Sequence, residues 1–245
     1  MKTVGFLVVI GLVAHAAVLA QAPNVIRVKG GVNGDKLLPF AERYRYGQFR
    51  TGEVLFLNGT SVAARFNYNV LLGEMHFINA RGDTMALADE PIVRRVDLGS
   101  PAAVNQSPQQ DVFLYDNSKG YLEIIADYGV IKLGVKQGLK TVKREKMSGY
   151  GQSSGASAIT TYQFYSGGNM SVSKLDAKGD MLFMKAKSYF IVDQNSRFYP
   201  ATKASVFKVF STHRQQITTN LASEPVDFDQ EEQVKRLLDY CSKLV

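Results

Sequence analysis

The chain has a single cysteine, Cys241, and only three histidines among its 245 residues. One cysteine excludes an intramolecular disulfide, so the fold must be held by its core, and a chain of this length can bury roughly 70% of its unfolded surface. No His, Cys and carboxylate spacing matches a zinc or catalytic metal site. No Gly-x-Ser-x-Gly segment supplies a triad nucleophile. We therefore expect no catalytic, cofactor-binding or metal-binding residue, and we predict a protein that is not an enzyme.

Apolar runs of near-membrane-spanning length are absent except at the N-terminus. There Lys2 precedes an uncharged, mostly apolar run, Val4 to Ala20. This pattern is typical of a secretory signal peptide, residues 1–20, cleaved before Gln21. Cleavage after Ala22 also fits an Ala-x-Ala site, and an uncleaved membrane anchor is the alternative, although the run is shorter than the roughly 20 residues of a spanning helix. Because no cysteine follows the run, we expect an exported periplasmic or outer-membrane-associated protein that is not a lipoprotein.

The charge balance is basic, with 29 Lys and Arg against 22 Asp and Glu and a net charge of +7. From Lys203 onward six basic and six acidic residues cancel, so the excess lies earlier in the chain, densest from Lys132 to Lys146. Such a stretch could meet an anionic membrane surface, lipopolysaccharide or nucleic acid, or could simply be a solvated face. Export and the lack of an RNA-recognition or helix-turn-helix signature argue against nucleic acid.

A four-residue turn pattern, Asn/Asp–small–basic–Gly, occurs three times between apolar strand-like runs. The copies are Asn79-Ala80-Arg81-Gly82, Asn117-Ser118-Lys119-Gly120 and Asp176-Ala177-Lys178-Gly179. Asn or Asp opens a type I turn through its side chain, and Gly supplies the positive φ that closes a short hairpin loop. Asn58-Gly59 is a fourth hairpin signal. The chain therefore reads as a succession of antiparallel hairpins.

Alternating apolar runs predict the strands, and we expect a mainly β fold. The predicted strands are Gln48–Leu57, Ser61–Leu72, Glu74–Ile78, Asp83–Ala88, Ile92–Leu98, Asp111–Tyr115, Tyr121–Tyr128, Val130–Val135, Ile159–Tyr165, Ser171–Leu175, Met181–Ala186 and Ser188–Val192. Gln21 to Phe40 is interpreted as a leader, Gly99 to Gln110 as a surface loop, and Lys140 to Ser157 as a mobile basic loop. The predicted strands form an antiparallel β-meander, which is either an open sheet or a partial barrel.

The apolar period becomes helical near the C-terminus. Val206, Phe207, Phe210, Ile217 and Leu221 share one face of a helix predicted from Lys203 to Leu221, and Pro225 ends it. A second helix begins near Asp229, which forms a capping box with Glu232. Its stripe consists of Val234, Leu237, Leu238, Cys241 and Leu244. We expect one β-rich domain, residues 21–245, in which the helical pair 203–245 packs on the sheet and Cys241 is a buried structural thiol.

Three short patterns are weighed as functional sites. Glu74 and His76 lie two apart on one strand, so they share a face and could form an acid–base pair; an exposed polar face, with Met75 and Phe77 packing inward, is the favoured interpretation. Gly149-x-Gly151-x-x-x-Gly155 lacks the spacing of a phosphate loop and is interpreted as a linker. Arg81-Gly82-Asp83 spells an integrin-type tripeptide, but the turn already accounts for these residues.

Two segments carry a family resemblance. The first is Phe66-Asn67-Tyr68-Asn69-Val70-Leu71-Leu72-Gly73-Glu74-Met75-His76-Phe77-Ile78-Asn79 followed by Gly82-Asp83-Thr84; the second is Phe198-Tyr199-Pro200-Ala201 with Val226-Asp227-Phe228 and Leu237-Leu238-Asp239-Tyr240. Together, over about a third of the chain, they resemble a group of uncharacterised exported proteins of Bacteroidota-type bacteria. The resemblance implies an envelope location in a Gram-negative cell and carries no known activity, so it assigns no functional residue.

Three functions remain as hypotheses. The first is a non-enzymatic envelope scaffold or binding module, with an envelope protein, an anionic membrane surface or a lipid as partner and nucleic acid excluded. The second is a carrier of a lipid or other hydrophobic ligand in a cavity between sheet and helices. Aromatic residues would suit its lining, although they suit a plain core equally well; they include Tyr44, Tyr46, Phe49, Phe56 and Phe66. The third is a hydrolase that uses scattered carboxylates. An apolar cavity favours the carrier, a filled core with a distinct surface patch favours the binding module, and converging carboxylates favour the hydrolase.

Overall fold

The computed structural model describes residues 25–28, 38–87, 92–99, 110–144 and 181–245. Several predictions from the sequence fall outside these residues. They are the signal peptide, the loop residues 100–109, the glycine segment 149–155, the predicted strands Ile159–Tyr165 and Ser171–Leu175, and the third turn copy, Asp176 to Gly179. The description below concerns the remaining residues.

Eleven strands form one open, antiparallel sheet, which confirms the predicted mainly β fold. The strands are β1 (Val25–Val28), β2 (Arg50–Phe56), β3 (Ser61–Asn69), β4 (Glu74–Ile78), β5 (Thr84–Ala86), β6 (Val93–Gly99), β7 (Gln110–Asp116), β8 (Gly120–Asp127), β9 (Ile131–Arg144), β10 (Met181–Asp193) and β11 (Phe198–Pro200). Their order is β1-β10-β9-β8-β7-β6-β2-β3-β4-β5, and β11 also pairs with β10.

Among the described strands, the succession of hairpins is interrupted between β5 and β6, and β1 pairs with β10 rather than with β2. The sequence predicts that β6 continues the meander beyond β5, whereas in the structure β6 returns to pair with β2, in the register Val54 to Val96. The chain thus builds the sheet outward through β5 in one direction and then through β10 in the other. Gly52 permits this return, because a Cβ there would lie 2.4 Å from the Asp97 carbonyl oxygen.

Two strands are longer than the sequence predicts. Residues Lys140 to Arg144 were expected to begin a loop, but they continue β9, where they pair with the start of β10. The two predicted strands between Met181 and Val192 are one continuous strand, β10. In both places the backbone pairing of β9 with β10 continues past the lysines that interrupt the apolar pattern, so it overrides the local signal.

The hairpin turns follow the predicted chemistry with one shift. Gly82 has φ of +89° and Gly120 has φ of +74°, as the turn pattern requires. Asn79 accepts hydrogen bonds from the backbone amides of Arg81 and Asp83 through its side-chain oxygen, each 2.9 Å long. In the second copy the opening residue is Asp116 rather than Asn117, since Asp116 accepts from the amides of Ser118 and Lys119.

A further turn of the same kind joins β10 to β11 and lacks a glycine. Asp193 accepts from the backbone amides of Asn195 and Arg197, both at 2.9 Å, which repeats the bonds made by Asn79. Ser196 takes the closing position with φ of +57°. The sequence pattern does not predict this turn, because serine and not glycine occupies its closing position.

The open sheet curls from β2 to β8, so that side chains on its inner face contact one another across the curl. The ring of Tyr68 on β3 lies 5.5 Å from that of Phe113 on β7 and 6.4 Å from that of Tyr121 on β8. These strands are not neighbours in the sheet, so the contacts measure the curl. Phe66 joins them, and all four rings are no more than 1% exposed. The inner face of the curl is filled by its own side chains.

An ion pair ties the two sides of the curl together. The Arg45 guanidinium donates two hydrogen bonds to the Glu123 carboxylate, with nitrogen–oxygen distances of 2.9 and 3.0 Å. Gln137 donates to the same carboxylate, and its backbone carbonyl accepts from the Tyr68 hydroxyl at 3.1 Å. The segment before β2 is thereby joined to β8 and β9, and the bonds to Glu123 raise the pKa of Arg45.

A buried asparagine holds the entrance to β2 in place. Asn67 is fully buried on β3; its side chain accepts from the Tyr46 amide and donates to the carbonyls of Tyr46 and Gln48. Because these three backbone groups lie where the strand pairing with β3 is interrupted, the asparagine replaces the missing ladder bonds. This places Arg45 and Tyr46 against the inner face.

Four helices accompany the sheet: α1 (Phe40–Arg43), α2 (Lys203–Val209), α3 (Arg214–Ser223) and α4 (Glu231–Ser242). The predicted helix from Lys203 to Leu221 is divided by a 3-10 turn, Ser211–His213, whose residues have low helix propensity. The predicted Asp229–Glu232 capping box is wrong. Gln230 is the N-cap of α4 without a side-chain bond, and the Gln233 side chain instead accepts from the Asp227 amide.

The C-terminal helices pack on the sheet, as predicted. Val206, Ile217, Leu238 and Cys241 are fully buried, in one cluster with Leu133 and Ile191 of β9 and β10. Burial raises the pKa of the Cys241 thiol to about 12, so it remains protonated and unreactive at neutral pH. In the described part of the chain, no helix is long and apolar enough to cross a membrane.

Replacing Gly82 or Gly120 by valine should lower the free energy of unfolding by roughly 1–2 kcal/mol, because a β-branched residue is strained at positive φ. Gly47 provides the control, since its backbone does not require glycine and a Cβ there meets nothing within 4 Å. Urea unfolding of the three variants measures the difference. Equal stability of Gly82→Val, Gly120→Val and Gly47→Val would show that these turns do not depend on the left-handed conformation.

Leu238→Ala should lower the free energy of unfolding by about 2–5 kcal/mol, because it removes a fully buried side chain from the interface of α4 with the sheet. Leu57→Ala is the matched control, since Leu57 is 66% exposed. Hydrogen exchange of the wild-type protein gives an independent measurement: the amides of α4 should be protected nearly as well as those of β9. Rapid exchange of α4 with protected strands would mean that the helix detaches on its own.

Candidate functional site

Glu74 and His76 share a face of β4, but that face is covered rather than exposed. His76 is only 6% exposed; its Nε2 lies 3.1 Å from Glu74 Oε2 and its Nδ1 lies 2.9 Å from the Tyr44 hydroxyl. Rings of Phe40 and Phe49 pack against Tyr44 at 4.6 and 5.3 Å. The expected exposed polar face is therefore wrong for His76, because the segment before β2 folds over it.

The Glu74–His76–Tyr44 chain is best explained as a structural device. Both imidazole nitrogens have a partner inside the chain, and Tyr44 forms an isolated bridge with Asn69. The hydrogen bond between His76 and Tyr44 joins β4 to the segment that contains α1. Met75 packs to the other face, as predicted, with no exposure. This arrangement fixes the position of α1 and leaves the histidine nitrogens engaged.

A second polar cluster lies inside the curl. Arg50 donates to the Asp111 carboxylate at 2.6 Å, and its guanidinium lies 4.3 Å from the centre of the Tyr46 ring. Burial, followed by the nearby charges of Glu123 and Asp111, raises the pKa of the Tyr46 hydroxyl. Each of the two carboxylates is held by its own guanidinium, Glu123 by Arg45 and Asp111 by Arg50. The cluster thus neutralises its charges pairwise, and each pair joins one buried partner to one that is about a third exposed.

The remaining short patterns do not gather into a site. Arg81, Gly82 and Asp83 form the exposed hairpin turn between β4 and β5, where the Asn79 side chain bonds the backbone. The densest basic stretch, Lys132 to Lys146, is only partly described. Within it Lys132 is paired with Asp127, and Lys136 donates to the Lys119 carbonyl at 2.6 Å. Among the described residues, no three His, Cys, Asp or Glu side chains form a group that could hold a metal ion.

The surface that stands out lies on α2 and the start of α3. An open cleft of about 420 Å³, here called the basic cleft, is lined by Lys203, Ala204, Phe207, Lys208 and Arg214. Two of its cations flank one ring: Lys203 Nζ lies 5.6 Å and the Arg214 guanidinium 4.9 Å from the centre of Phe207. Lys208 Nζ lies 5.1 Å from the centre of the Tyr199 ring. Aromatic faces orient all three cations while their polar ends stay exposed.

The cations of the basic cleft have no carboxylate partner in the part of the chain that the structure describes. Residues 194–223 include four Lys and Arg and no Asp or Glu, whereas residues 224–232 include five Asp and Glu and no Lys or Arg. The C-terminal charges therefore cancel in number but are separated along the sequence. The net charge of residues 203–245 is zero and does not reveal this separation. Long stretches that contain Lys and Arg but no Asp or Glu are the sequence signal that does.

The acidic residues are engaged elsewhere. Glu231 at the start of α4 bonds Lys187 at 3.0 Å and Lys235 at 2.9 Å, and the Tyr189 hydroxyl donates to it at 3.3 Å. Glu224 pairs with Arg236 at 3.3 Å. Burial alone would raise the pKa of Glu231, but the hydrogen bonds from Lys235 and Lys187 outweigh it and lower that pKa to about 2. Glu231 thus attaches α4 to β10, Glu224 joins the end of α3 to α4, and neither lines the basic cleft.

Comparison of this chain with protein-family models, with curated proteins and with solved structures finds no match. The site must therefore be interpreted from its own chemistry. Three oriented cations, an aromatic ring and no acid in the lining can hold an anionic group.

Glu231 should stabilise the folded state at neutral pH and lose this effect in acid. Because its folded pKa of about 2 lies below its ordinary value of 4.5, the contribution is present above pH 4.5 and disappears as the pH falls toward 2. At pH 7 the free energy of unfolding of the wild-type protein should exceed that of Glu231→Gln by up to about 1 kcal/mol. The difference is small because Glu231 and its lysine partners lie near the surface. Urea midpoints at pH 7, 4 and 2.5 measure the difference, which should shrink steadily. A difference that is the same at all three values would mean that the ionised carboxylate contributes nothing.

Proposed function

We propose that this chain is an exported protein of the bacterial cell envelope that acts as a non-enzymatic binding module and holds an anionic partner in the basic cleft. The observation that carries the proposal is the composition of that cleft. Lys203, Lys208 and Arg214 are exposed and oriented by aromatic rings, and none has a carboxylate partner among the residues that the structure describes. Three unneutralised cations at one place attract anions and steer their approach.

The support of the helices makes the cleft a preformed surface. Val206 lies one residue before Phe207 and is fully buried, as is Ile217 in the first turns of α3. The α2 helix is capped by Thr202, whose hydroxyl accepts from the Ser205 amide at 3.2 Å. Because the backbone on both sides of the cleft is anchored in the core, binding would cost little ordering of the chain.

The filled interior favours a binding module over a lipid carrier. Phe66, Tyr68, Phe113 and Tyr121 occupy the inner face of the curl, and none is more than 1% exposed. The clefts lined by described residues lie instead on the helices and turns. Of the aromatic residues that suggested a ligand lining from the sequence, Tyr44 and Phe66 are buried. Tyr46 and Phe56 are partly buried against the same cluster as Phe66, and Phe49 is half-buried beside Tyr44.

Export is supported by the N-terminal pattern. Lys2, the apolar run to Ala20 and the small residue at its end have the order of a secretory signal. The resemblance to exported proteins points to the same location. An excess of positive charge, +6 once Lys2 is removed, suits an envelope in which many partners carry negative charge.

Isolating the chain from the envelope fraction of its native cell tests both parts of the proposal. N-terminal sequencing should begin at Gln21, and native mass spectrometry at low ionic strength should show a bound anionic species. The species should be lost in Lys203→Gln/Lys208→Gln/Arg214→Gln, because the charges that hold it are gone. An intact Met1 would contradict export.

The matched control removes three cations at exposed positions of the sheet. Arg65→Gln/Arg81→Gln/Arg94→Gln makes the same change in net charge, and these side chains are exposed and lie outside the basic cleft. The control should retain the bound species. Equal loss in both triple variants would show that net charge alone, and not the cleft, is responsible for binding.

A further inference from the structure

We propose a second binding site, for a small molecule with an apolar body and one carboxylate, in a pocket at one end of the sheet beside α2. The pocket, here called the turn pocket, has a volume of about 360 Å³. It is lined by residues of the β8–β9 turn, the β10–β11 turn and the end of α2, among them Ile131, Arg197, Lys208, Val209 and Phe210. This site goes beyond the basic cleft and its proposed function.

Strand pairing brings the walls of the turn pocket together. Ile131 at the start of β9 pairs with Asp193 at the end of β10, so the turn before β9 and the turn after β10 lie side by side. The chain returns through β11 and enters α2, whose last residue, Val209, also lines the pocket. At the end of that helix the Phe210 amide donates to the Val206 carbonyl at 2.9 Å. Because the backbone holds these walls, binding would order little of the chain.

The turn pocket is apolar at its floor and positively charged at its mouth. Ile131 is 2% and Phe210 is 4% exposed, and both belong to the hydrophobic cluster that joins the sheet to the C-terminal helices. Arg197 and Lys208 are exposed. Lys208 also lines the basic cleft, but its Nζ lies 5.1 Å from the centre of the Tyr199 ring, which lines the turn pocket. A ligand with an apolar body and an anionic end matches this gradient.

The one acidic side chain in the described lining is already engaged. Asp193 Oδ1 accepts from the backbone amides of Asn195 and Arg197 at 2.9 Å, and its Oδ2 accepts from the Tyr199 hydroxyl at 3.3 Å. Among the described residues, neither the Arg197 guanidinium nor the Lys208 ammonium group has a carboxylate partner. The pocket therefore favours an anion over a cation, and Arg197 can hold a carboxylate through two parallel hydrogen bonds.

The volume of the turn pocket limits the ligand to a small molecule. Ligand pockets range from about 300 to 1,000 Å³, and this one lies near the lower end. A lipid with two acyl chains is too large for it, whereas a medium-chain fatty acid or an aryl carboxylate matches its size. Inorganic phosphate or acetate would use the cations alone and leave the apolar floor uncovered.

Titration of the protein with defined probes, followed by NMR, tests the inference. The probes are octanoate, 2-naphthoate, acetate, 1-octanol and octyltrimethylammonium, each below its micelle concentration. Octanoate or 2-naphthoate should bind at least about tenfold more tightly than acetate, because acetate buries almost no apolar surface. The tighter of the two should also bind at least about threefold more tightly than octanol and octyltrimethylammonium. The amide shifts should centre on residues 130–131, 193–199 and 208–210, and the preferred carboxylate distinguishes an alkyl from an aryl ligand.

Single substitutions separate the turn pocket from the basic cleft. Arg197→Gln should weaken binding of the preferred carboxylate about threefold or more, whereas Arg214→Gln, which removes the same charge from the cleft, should leave it unchanged. Val209→Ser should weaken binding about threefold or more because apolar contact is lost, and Val62→Ser, at an exposed position of the sheet, should not. Melting temperatures confirm that the variants fold, and the amide shifts of the wild-type protein depend on no variant.

Several outcomes would overturn the turn pocket as a carboxylate site. They are no binding of either carboxylate, equal binding of the carboxylate and octyltrimethylammonium, and amide shifts that lie away from the two turns and the end of α2. An unchanged affinity in Arg197→Gln, or the same loss in Arg214→Gln, overturns it as well. None of these results bears on the basic cleft, whose own test is the loss of the bound anionic species in its triple variant.

Discussion

The bond between Arg45 and Glu123 is the constraint on which the curled sheet depends. The two residues are 78 positions apart, and the Glu123 side chain is only 7% exposed, so its charge must be compensated inside the protein. The guanidinium does so through two parallel bonds, and Gln137 donates a third. A carboxylate left unpaired at this depth would cost several kcal/mol, so the ion pair favours the arrangement in which the segment before β2 lies against β8.

That arrangement explains the separate cores on the two halves of the sheet. Around β2 to β8 the sheet covers its own inner face, and the rings of Tyr68, Phe113 and Tyr121 meet there. The apolar side of β9 and β10 belongs to a different cluster, in which Leu133 and Ile191 pack with the C-terminal helices. The C-terminal helices cover that side with Val206, Ile217 and Leu238, among others. The helices are thus needed because the curl ends at β8 and leaves the apolar side of β9 and β10 to be covered by another element.

The sequence predicts the turns and helices that depend on neighbouring residues. It does not predict the contacts between segments that are far apart in the chain. Gly82 and Gly120 reveal their turns because the residues that make the bonds are within five positions of each other. The amphipathic stripe of α4 is likewise contained in twelve residues. The return of β6 to β2, the Arg45–Glu123 pair and the burial of His76 each depend on segments that meet only in the folded sheet, and no periodicity records them. Ser196 shows the converse: a local turn was missed because a residue other than glycine occupies the left-handed position.

The basic cleft was missed for a different reason, since its residues are local but their charges were counted over too long a segment. Lys203, Lys208 and Arg214 share the tail with five acids between residues 224 and 232 that could neutralise them in number. In the structure Glu231 is held by Lys187 and Lys235, and Glu224 by Arg236, so α4 keeps these acids for its own attachment. The cations of α2 and α3 rest on the rings of Phe207 and Tyr199 instead. A ring contact leaves the positive charge of a cation without a compensating negative charge, whereas a carboxylate partner neutralises it. The fold therefore preserves positive charge at this surface, although neutralising partners exist nearby in the same chain, and this separates the cleft from an ordinary solvated face.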